Sequence, residues 1–401
     1  LKWKSDFDKY VVLANFEKRG WQHCATDDDW NIFWANVWTV KTIFNPDTGH
    51  RLGDYQLLNH FPNHYELTRK DLMAKNIKRY RKELEKENSP LAERDEHGNY
   101  VHLDFIPLTY NMPADYNLFV EEFKRSPNTT WIMKPTSKAQ GKGIFLVNKI
   151  SQIKKWASAS KLPFQATSAK EAYIICRYID NPLLVGGKKF DMRLYVLVTS
   201  YRPLKAYFSR LGFCRFCNER YSAEMNDIDN MFIHLTNVAI QKNSKIYNDK
   251  HGGKWSFQNL RFYMECTRGR AAAEKCFEDI KQVITLSLKA VQSVMINDKH
   301  CFEMYGFDIL LDNTLKPWLL EVNASPSLTT STEKDRILKT QLLRDVFAVV
   351  VPPNWGEDGR HGANTCTDRS VGFFDVLVDE SVSEAESRRQ AARKGMAGWR
   401  C

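Results

Sequence analysis

The sequence predicts a mixed α/β (α+β) fold, and three stretches carry that expectation. "KKFDMRLYVLVTS" (188–200) reads as one long strand. "MYGFDILLDNTLKPWLLEVN" (304–323) reads as a hairpin with Asp312-Asn313 at its turn. "RAAAEKCFEDIKQVITLSLKAVQSVMI" (270–296) repeats Phe277, Ile280, Ile284, Leu288, Val291 and Met295 every three or four residues, the stripe of a helix that packs on a sheet.

The chain has 401 residues, 43% hydrophobic and 26% charged, enough for two or three domains. No apolar run approaches the ~18 residues of a membrane span, and "LKWKSDFDKYVV" lacks a signal-peptide pattern. It also lacks an initiator Met, so a few preceding residues are expected. Nine cysteines in a chain of intracellular character suggest free thiols. Cys214 and Cys217 form one CxxC with no second ligand pair nearby, so two ordinary thiols are favoured over zinc. The net charge of +10 favours acidic partners without choosing among nucleic acid, membranes and acidic protein tails.

In chain order, "DDDWNIFWANVWTV" (27–40) is an aromatic core segment, and Asp27 to Asp29 cap a short helix or start a turn. Residues 1–66 are expected to form an N-terminal domain. "YELTRKDLMAKNIKRYRKELEKE" (65–87) carries Arg69, Lys70, Lys75, Lys78, Arg79, Arg81, Lys82 and Lys86. It is either a solvated helical face or a basic surface for an acidic substrate. "ADYNLFVEEFKRSPNTTWIMKP" (114–135) is a helix, a turn and a strand ending at Lys134-Pro135. "IFLVNKI" and "EAYIICRYIDNP" are further strands. Residues 67–180 then make a central domain and 181–351 a C-terminal one. From 352 the apolar pattern fades, and 352–401 reads as a flexible or partner-binding tail.

Several polar groups sit where chemistry needs them. In a strand, residues i and i+2 share a face, so Glu321 and Asn323 point together, with Leu320 and Val322 opposite. The hairpin places Asp308 across from Glu321. Two carboxylates and an amide oxygen on one face suit Mg²⁺ with water and phosphate, or are a coincidental polar face. Lys189, Asp191 and Arg193 likewise share a face, for cross-strand pairing or for phosphates. The loop "QGKGIF" (140–145) has Gly141 and Gly143 for close backbone approach and Lys142 to reach a phosphate, but it is not a Walker A motif. Backbone groups of Arg177 to Ile179 can meet a purine at a hinge. In "FIHLTNVAIQKNS", His234 is a base, a ligand or a structural group, and Thr236 and Asn237 can contact ribose or phosphate.

Together "WIMKP", "QGKGIF", "RYI", "GGKKFDMRLYVLV", "FIHLTNVAIQK", "GGKW", "FEMYGFDILLD" and "PWLLEVNASPSL", in order from Trp131 to Leu328, resemble the tubulin tyrosine ligase-like family. "NHFPNHYELTRKDLMAKNIKRYRKELEKE" and the compact length are most similar to a short polyglutamylase that is the catalytic subunit of a complex. The resemblance implies an ATP-grasp fold with ATP between the central and C-terminal domains. It implies ATP contacts at Lys134, Gln140, Gly141, Lys142, Cys176, Arg177, Tyr178, Ile179, Lys189, Asp191, Thr236 and Asn237. Asp308, Glu321 and Asn323 match Mg²⁺ ligands, and Arg215 and Lys254 match residues that hold L-glutamate. Arg193 and Glu321 match catalytic positions. The implied reaction is ATP-dependent ligation of glutamate to glutamate side chains of tubulin tails, through an acyl phosphate. Accessory subunits are implied, as is a cytoplasmic, cytoskeletal and ciliary location; neither nucleic acid nor membrane is. The alternatives are a glycylase or tyrosine ligase of the same family, or a non-catalytic microtubule-binding scaffold. A nucleic-acid binder has no recognised module here.

Overall fold

The structure is a computed structural model, and it describes residues 1–24, 29–159, 172–224, 227–248, 253–352 and 368–382. Three sheets organise them. The first is parallel, in the order β2-β1-β3-β4, with β1 Lys2–Ser5, β2 Gln22–His23, β3 Ile32–Trp34 and β4 Leu57–Leu58. The second is antiparallel, in the order β5-β8-β6-β7, with β5 Thr109–Met112, β6 Trp131–Pro135, β7 Phe145–Val147 and β8 Tyr173–Arg177. The third contains β9 Leu184–Val185, β10 Lys188–Tyr201, β11 Leu204–Phe216, β12 Lys254–Ser256, β13 Glu303–Leu311, β14 Pro317–Asn323, β15 Ser370–Val371 and β16 Phe374–Asp379. Its main path runs β14-β13-β10-β11-β16-β15, with β12 on β11 and β9 on β10.

The alternation of β10 decides where this sheet is core and where it is site. Met192, Leu194, Val196 and Val198 join the core containing Ile280, Ile284, Leu288 and Val291 of the helix Arg270–Gln292, the stripe expected from its spacing. The opposite face carries Lys189, Asp191 and Arg193 and then Tyr195 and Leu197, which pack with Leu342, Leu343, Val346 and Phe347 of the helix Glu333–Val350. That face is charged at one end of the strand and apolar at the other. Phe16 of the helix Tyr10–Lys18 packs against Phe347 with tilted rings, centroids 5.0 Å apart, so the N-terminal segment shares this second core.

Four expectations change. Residues 370–379 are not tail but two strands on the edge of the third sheet, pairing with Lys205 to Ser209 of β11; residues 353–367 and 383–401 lie outside the described residues. The helix Ile150–Ala159 is additional to the expected strands. The helix after the acidic run, Val37–Ile43, is capped by Asn36, whose side chain accepts from the Trp38 and Thr39 amides. Asp29 pairs with Lys2, while Asp27 and Asp28 lie outside the described residues. The fourth change is in the hairpin. Asp308 faces Glu321 as expected, but the register slips after it, pairing Ile309 with Leu319. This β-bulge adds Leu320 as an extra residue and lets adjacent residues turn to one side. Leu319 and Val322 take the core positions, and Leu320 lines the cleft beside Glu321, not the back of the strand. Thr314 and Lys316 amides close the turn on Asp312 Oδ1.

Candidate active site

Directly opposed residues in antiparallel strands share a face. Across the third sheet the register sets Lys254 opposite Arg215, Arg215 opposite Asp191, Arg193 opposite Asp308, and Asp308 opposite Glu321. Asp191 and Arg193 are two apart on β10, so the five strands present one ladder of charged residues, with opposite charges paired at its centre and like charges facing at each end. Arg193 holds Asp308 through Nε to Oδ1 (2.6 Å) and Nη2 to Oδ2 (3.1 Å). Arg215 holds Asp191 the same way, at 2.8 and 2.5 Å, and reaches Asp308 Oδ2 at 2.8 Å. Burial alone would raise the Asp308 carboxyl, but Arg193 and Arg215 outweigh it and hold it well below the usual carboxylate range. Gly306 makes room for this arrangement. A Cβ there would meet Pro326 Cβ at 3.0 Å and Arg193 Cδ at 3.1 Å.

A cleft lies between this ladder and the second sheet. It is lined by the expected Lys134, Gln140, Gly141, Cys176 to Ile179, Lys189, Asp191, Arg215, Thr236, Asn237, Asp308 and Glu321. Ile132, Ile144, Leu235, Leu310 and Leu320 give it apolar walls. Gly141 has φ of +78°, and a Cβ would sit 2.5 Å from Ile240 Cδ1 and 3.0 Å from Asn237 Oδ1. Only a glycine lets the loop approach the Thr236-Asn237 segment so closely. Buried Lys189 donates to the Tyr178 hydroxyl at 2.8 Å; burial pulls its ammonium down to about 8.

Four expected residues stand off the cleft lining. Lys142 is exposed on its turn, since the loop points Gln140 and Gly141 inward instead. Arg193 lies behind Asp308. Asn323 donates its amide NH₂ to Gly306 O (3.3 Å) and Asp308 Oδ2 (3.5 Å), so its side-chain oxygen is not used in these bonds. Lys254 donates to Asp335 Oδ2 at 3.3 Å, where Lys339 also donates at 3.2 Å. Burial would raise the Asp335 carboxyl, but the two lysines hold it down.

Two cleft lysines were not singled out in the sequence, exposed Lys138 and buried Lys70. Lys70 is buried at the start of the helix Lys70–Lys86, and its Nζ lies 2.9 Å from Glu321 Oε2. It sits within a run of eight basic residues, and nothing in their spacing marks it. The same helix turns other cations inward. Lys78 donates to Thr109 O (2.6 Å), Arg79 to Ala290 O (2.9 Å) and Arg81 Nε to Leu103 O (3.0 Å). Arg69, Lys75, Lys82 and Lys86 are the exposed remainder. His234, left between catalysis and structure, bonds Tyr178 Oη (2.9 Å) and Asp227 O (2.9 Å). Cys214 and Cys217 are buried and not joined in a disulfide.

Mg²⁺ is commonly held by one or two carboxylates, with water and substrate phosphates completing its shell. The donors Asp308, Glu321 and Asn323 fit that pattern. Among the described residues no group of three or more His, Cys, Asp or Glu is placed to hold a metal, so a cation here would also draw on non-protein oxygens.

This cationic, carboxylate-bearing cleft gathers most of the site residues expected from the sequence. A sequence model of the tubulin-tyrosine ligase family matches residues 48–358, and the chain belongs to that family. It is 60% identical to a probable alpha-tubulin polyglutamylase Ttll1 of Tetrahymena thermophila, over 97% of this chain and 95% of that protein. It is 42% identical to a probable tubulin polyglutamylase TTLL9 of Bos taurus, over 96% and 85%. It is 36% identical to tubulin polyglutamylase TTLL5 of Homo sapiens, over 80% of this chain and 24% of the other. No helix among the described residues is long and apolar enough to cross a membrane.

Proposed function

We infer that the protein is an ATP-dependent tubulin polyglutamylase, ligating L-glutamate to glutamate side chains of tubulin C-terminal tails. The observation that carries this reading is the near full-length 60% identity to a probable alpha-tubulin polyglutamylase, together with the cleft that gathers the nucleotide and carboxylate residues.

In this reading the fold is ATP-grasp, with ATP between the second and third sheets. The adenine lies against the Cys176 to Ile179 backbone, walled by Ile132, Leu235 and Leu310. Thr236 and Asn237 face the ribose, and Lys134, Lys189 and the Gly141 amide face the phosphates. Asp308, Glu321 and Asn323 would hold Mg²⁺, which when bound neutralises phosphate oxygens. Lys70 keeps the Glu321 carboxylate aimed into the cleft.

A carboxylate is a poor electrophile. Its oxygen attacks the γ-phosphorus, ADP leaves, and an acyl phosphate results. The amine of free glutamate, once deprotonated, attacks the acyl carbon and phosphate leaves, forming an isopeptide bond. Arg215 and Lys254 offer cations to the donor's carboxylates, Arg215 by exchanging part of its grip on Asp191 and Asp308. Arg193, fixed behind Asp308, adds positive charge where the oxyanion develops. The exposed Arg69, Lys75, Lys82 and Lys86 leave a smaller steering surface for acidic tails than the whole basic run would give. The site of action is the microtubule cytoskeleton, with accessory subunits as partners.

The test is incorporation of labelled glutamate, glycine or tyrosine into microtubules, with and without partner subunits, by wild type and Glu321→Gln. Glutamate incorporation that Glu321→Gln abolishes is expected. A preference for glycine or tyrosine overturns the reading, and an unaffected Glu321→Gln protein indicates a scaffold.

A further inference from the structure

The Tyr178 hydroxyl has more to do than fill a hinge. It accepts from Lys189 Nζ at 2.8 Å and meets His234 Nδ1 at 2.9 Å. His234 Nε2 in turn lies 2.9 Å from the backbone oxygen of Asp227. A carbonyl only accepts, so Nε2 carries the proton and Nδ1 is the acceptor. The Tyr178 proton therefore points at His234 and its lone pair at Lys189. Burial, with Lys189 nearby, lowers the His234 imidazole and keeps it neutral, which this tautomer requires. Lys189 also lies 4.3 Å from the Tyr178 ring centroid.

Three segments meet at that one oxygen. Tyr178 belongs to the hinge after β8, Lys189 is the second residue of β10, and His234 ends the helix Met231–His234, two residues before Thr236. These carry, in turn, the adenine, phosphate and ribose contacts of the proposed function. We propose that Tyr178 and His234 are positioning residues for the nucleotide: their hydrogen bond aims the Lys189 ammonium into the cleft and fixes the Thr236-Asn237 segment against the hinge. This rests on the nucleotide reading above.

The groups facing Lys189 and Tyr178 are few. Lys134 and Cys217 lie near Lys189, and Asp191 follows it on the strand. Tyr221 is hydrogen-bonded to the Tyr178 hydroxyl and also donates to Asp180 O at 2.8 Å, and Cys217 and Asp180 lie near Tyr178 as well. None of these replaces the acceptor that Tyr178 gives Lys189. Removing the hydroxyl therefore leaves the buried ammonium less stabilised, which favours its neutral form and moves its titration to lower pH.

The experiment is equilibrium binding of ATP with Mg²⁺ to the full chain between pH 6 and 10, for wild type, Tyr178→Phe, His234→Leu and His234→Asn. Wild type is expected to lose affinity as pH rises through about 8, as Lys189 discharges. Tyr178→Phe should weaken binding about ten-fold at pH 7 and shift that alkaline limb down by roughly half a unit or more. His234→Leu should move the limb the same way and less. His234→Asn, which places an amide acceptor near Nδ1, should restore it. Variants that bind more weakly with the limb unmoved would show a general packing role and overturn the inference. Should His234→Leu fail to fold, Tyr178→Phe decides alone, because it deletes one atom and keeps the ring. A wild-type chain with no affinity for ATP would overturn the nucleotide reading, and this inference with it.

Discussion

The two walls of the cleft are built on opposite principles. The third sheet presents Arg193, Arg215, Asp191 and Asp308 as buried, mutually bonded charges on long, fully paired strands. The second sheet presents a short loop over three-, four- and five-residue strands, with exposed Lys142 and backbone groups at Gly141. One wall is fixed before any ligand arrives, since each charge there already has its partner. The other works through backbone approach, with half-buried Lys134 lining the cleft and Lys142 of its loop left in water. The lesson is that charge on the rigid wall governs both folding and chemistry, whereas charge on the loop governs little.

Substitutions test that contrast, beginning with the largest effect. Asp308→Ala leaves two buried guanidiniums short of a partner, and breaking such a group costs about 3–5 kcal/mol; chemical denaturation should show that loss along with loss of glutamylation. The Asp308 carboxyl is held low in the fold, so its contribution is present at neutral pH. That contribution is lost as pH falls below the ordinary carboxylate range, and melts at descending pH should lose the difference between wild type and variant. Glu321→Gln should cut glutamylation by about 10²–10³, the scale of removing one electrostatic stabiliser, while its melting curve stays close to wild type. Equal losses of stability in both variants would erase the distinction between the ladder's centre and its edge.

The loop wall should respond more mildly. Gly141→Ala introduces an L side chain at positive φ against Ile240 and Asn237. The strain is about 1–2 kcal/mol, so the KM for ATP should rise roughly 5- to 30-fold with kcat less affected. Lys142→Ala should change the KM for ATP by no more than about two-fold, as exposed substitutions usually stay within about 0.5 kcal/mol. A large Lys142 effect would mean that the loop closes onto the ligand and that the walls are more alike than they stand here.

Much of this site was legible in sequence because strand alternation is a two-residue rule. Lys189, Asp191 and Arg193 share their face, and Asp308 meets Glu321, from spacing alone. The bulge at Leu320 was not legible: an extra residue in one strand leaves no mark on the hydrophobic pattern, since Leu319, Leu320 and Val322 are all apolar. Lys70 was lost for the reverse reason, one buried cation among seven similar neighbours. Partner choice, which makes Lys78 and Arg81 internal donors to carbonyls, depends on chain segments distant in sequence. The strand Phe374–Asp379 was missed because its Asp375 and Asp379 dilute its apolar residues; Lys205 and Arg210 of β11 supply the countercharges.

That late strand bears on how the protein can be shortened. The family match ends at residue 358, and a cut there would look natural. It would remove Phe374–Asp379 and uncover the hydrogen-bonding edge of Leu204–Phe216 along Lys205 to Ser209. A bare strand edge is a template for self-association. A chain trimmed to its matched region would thus trade a folded flank for a sticky one, with its charged ladder intact and its solubility compromised.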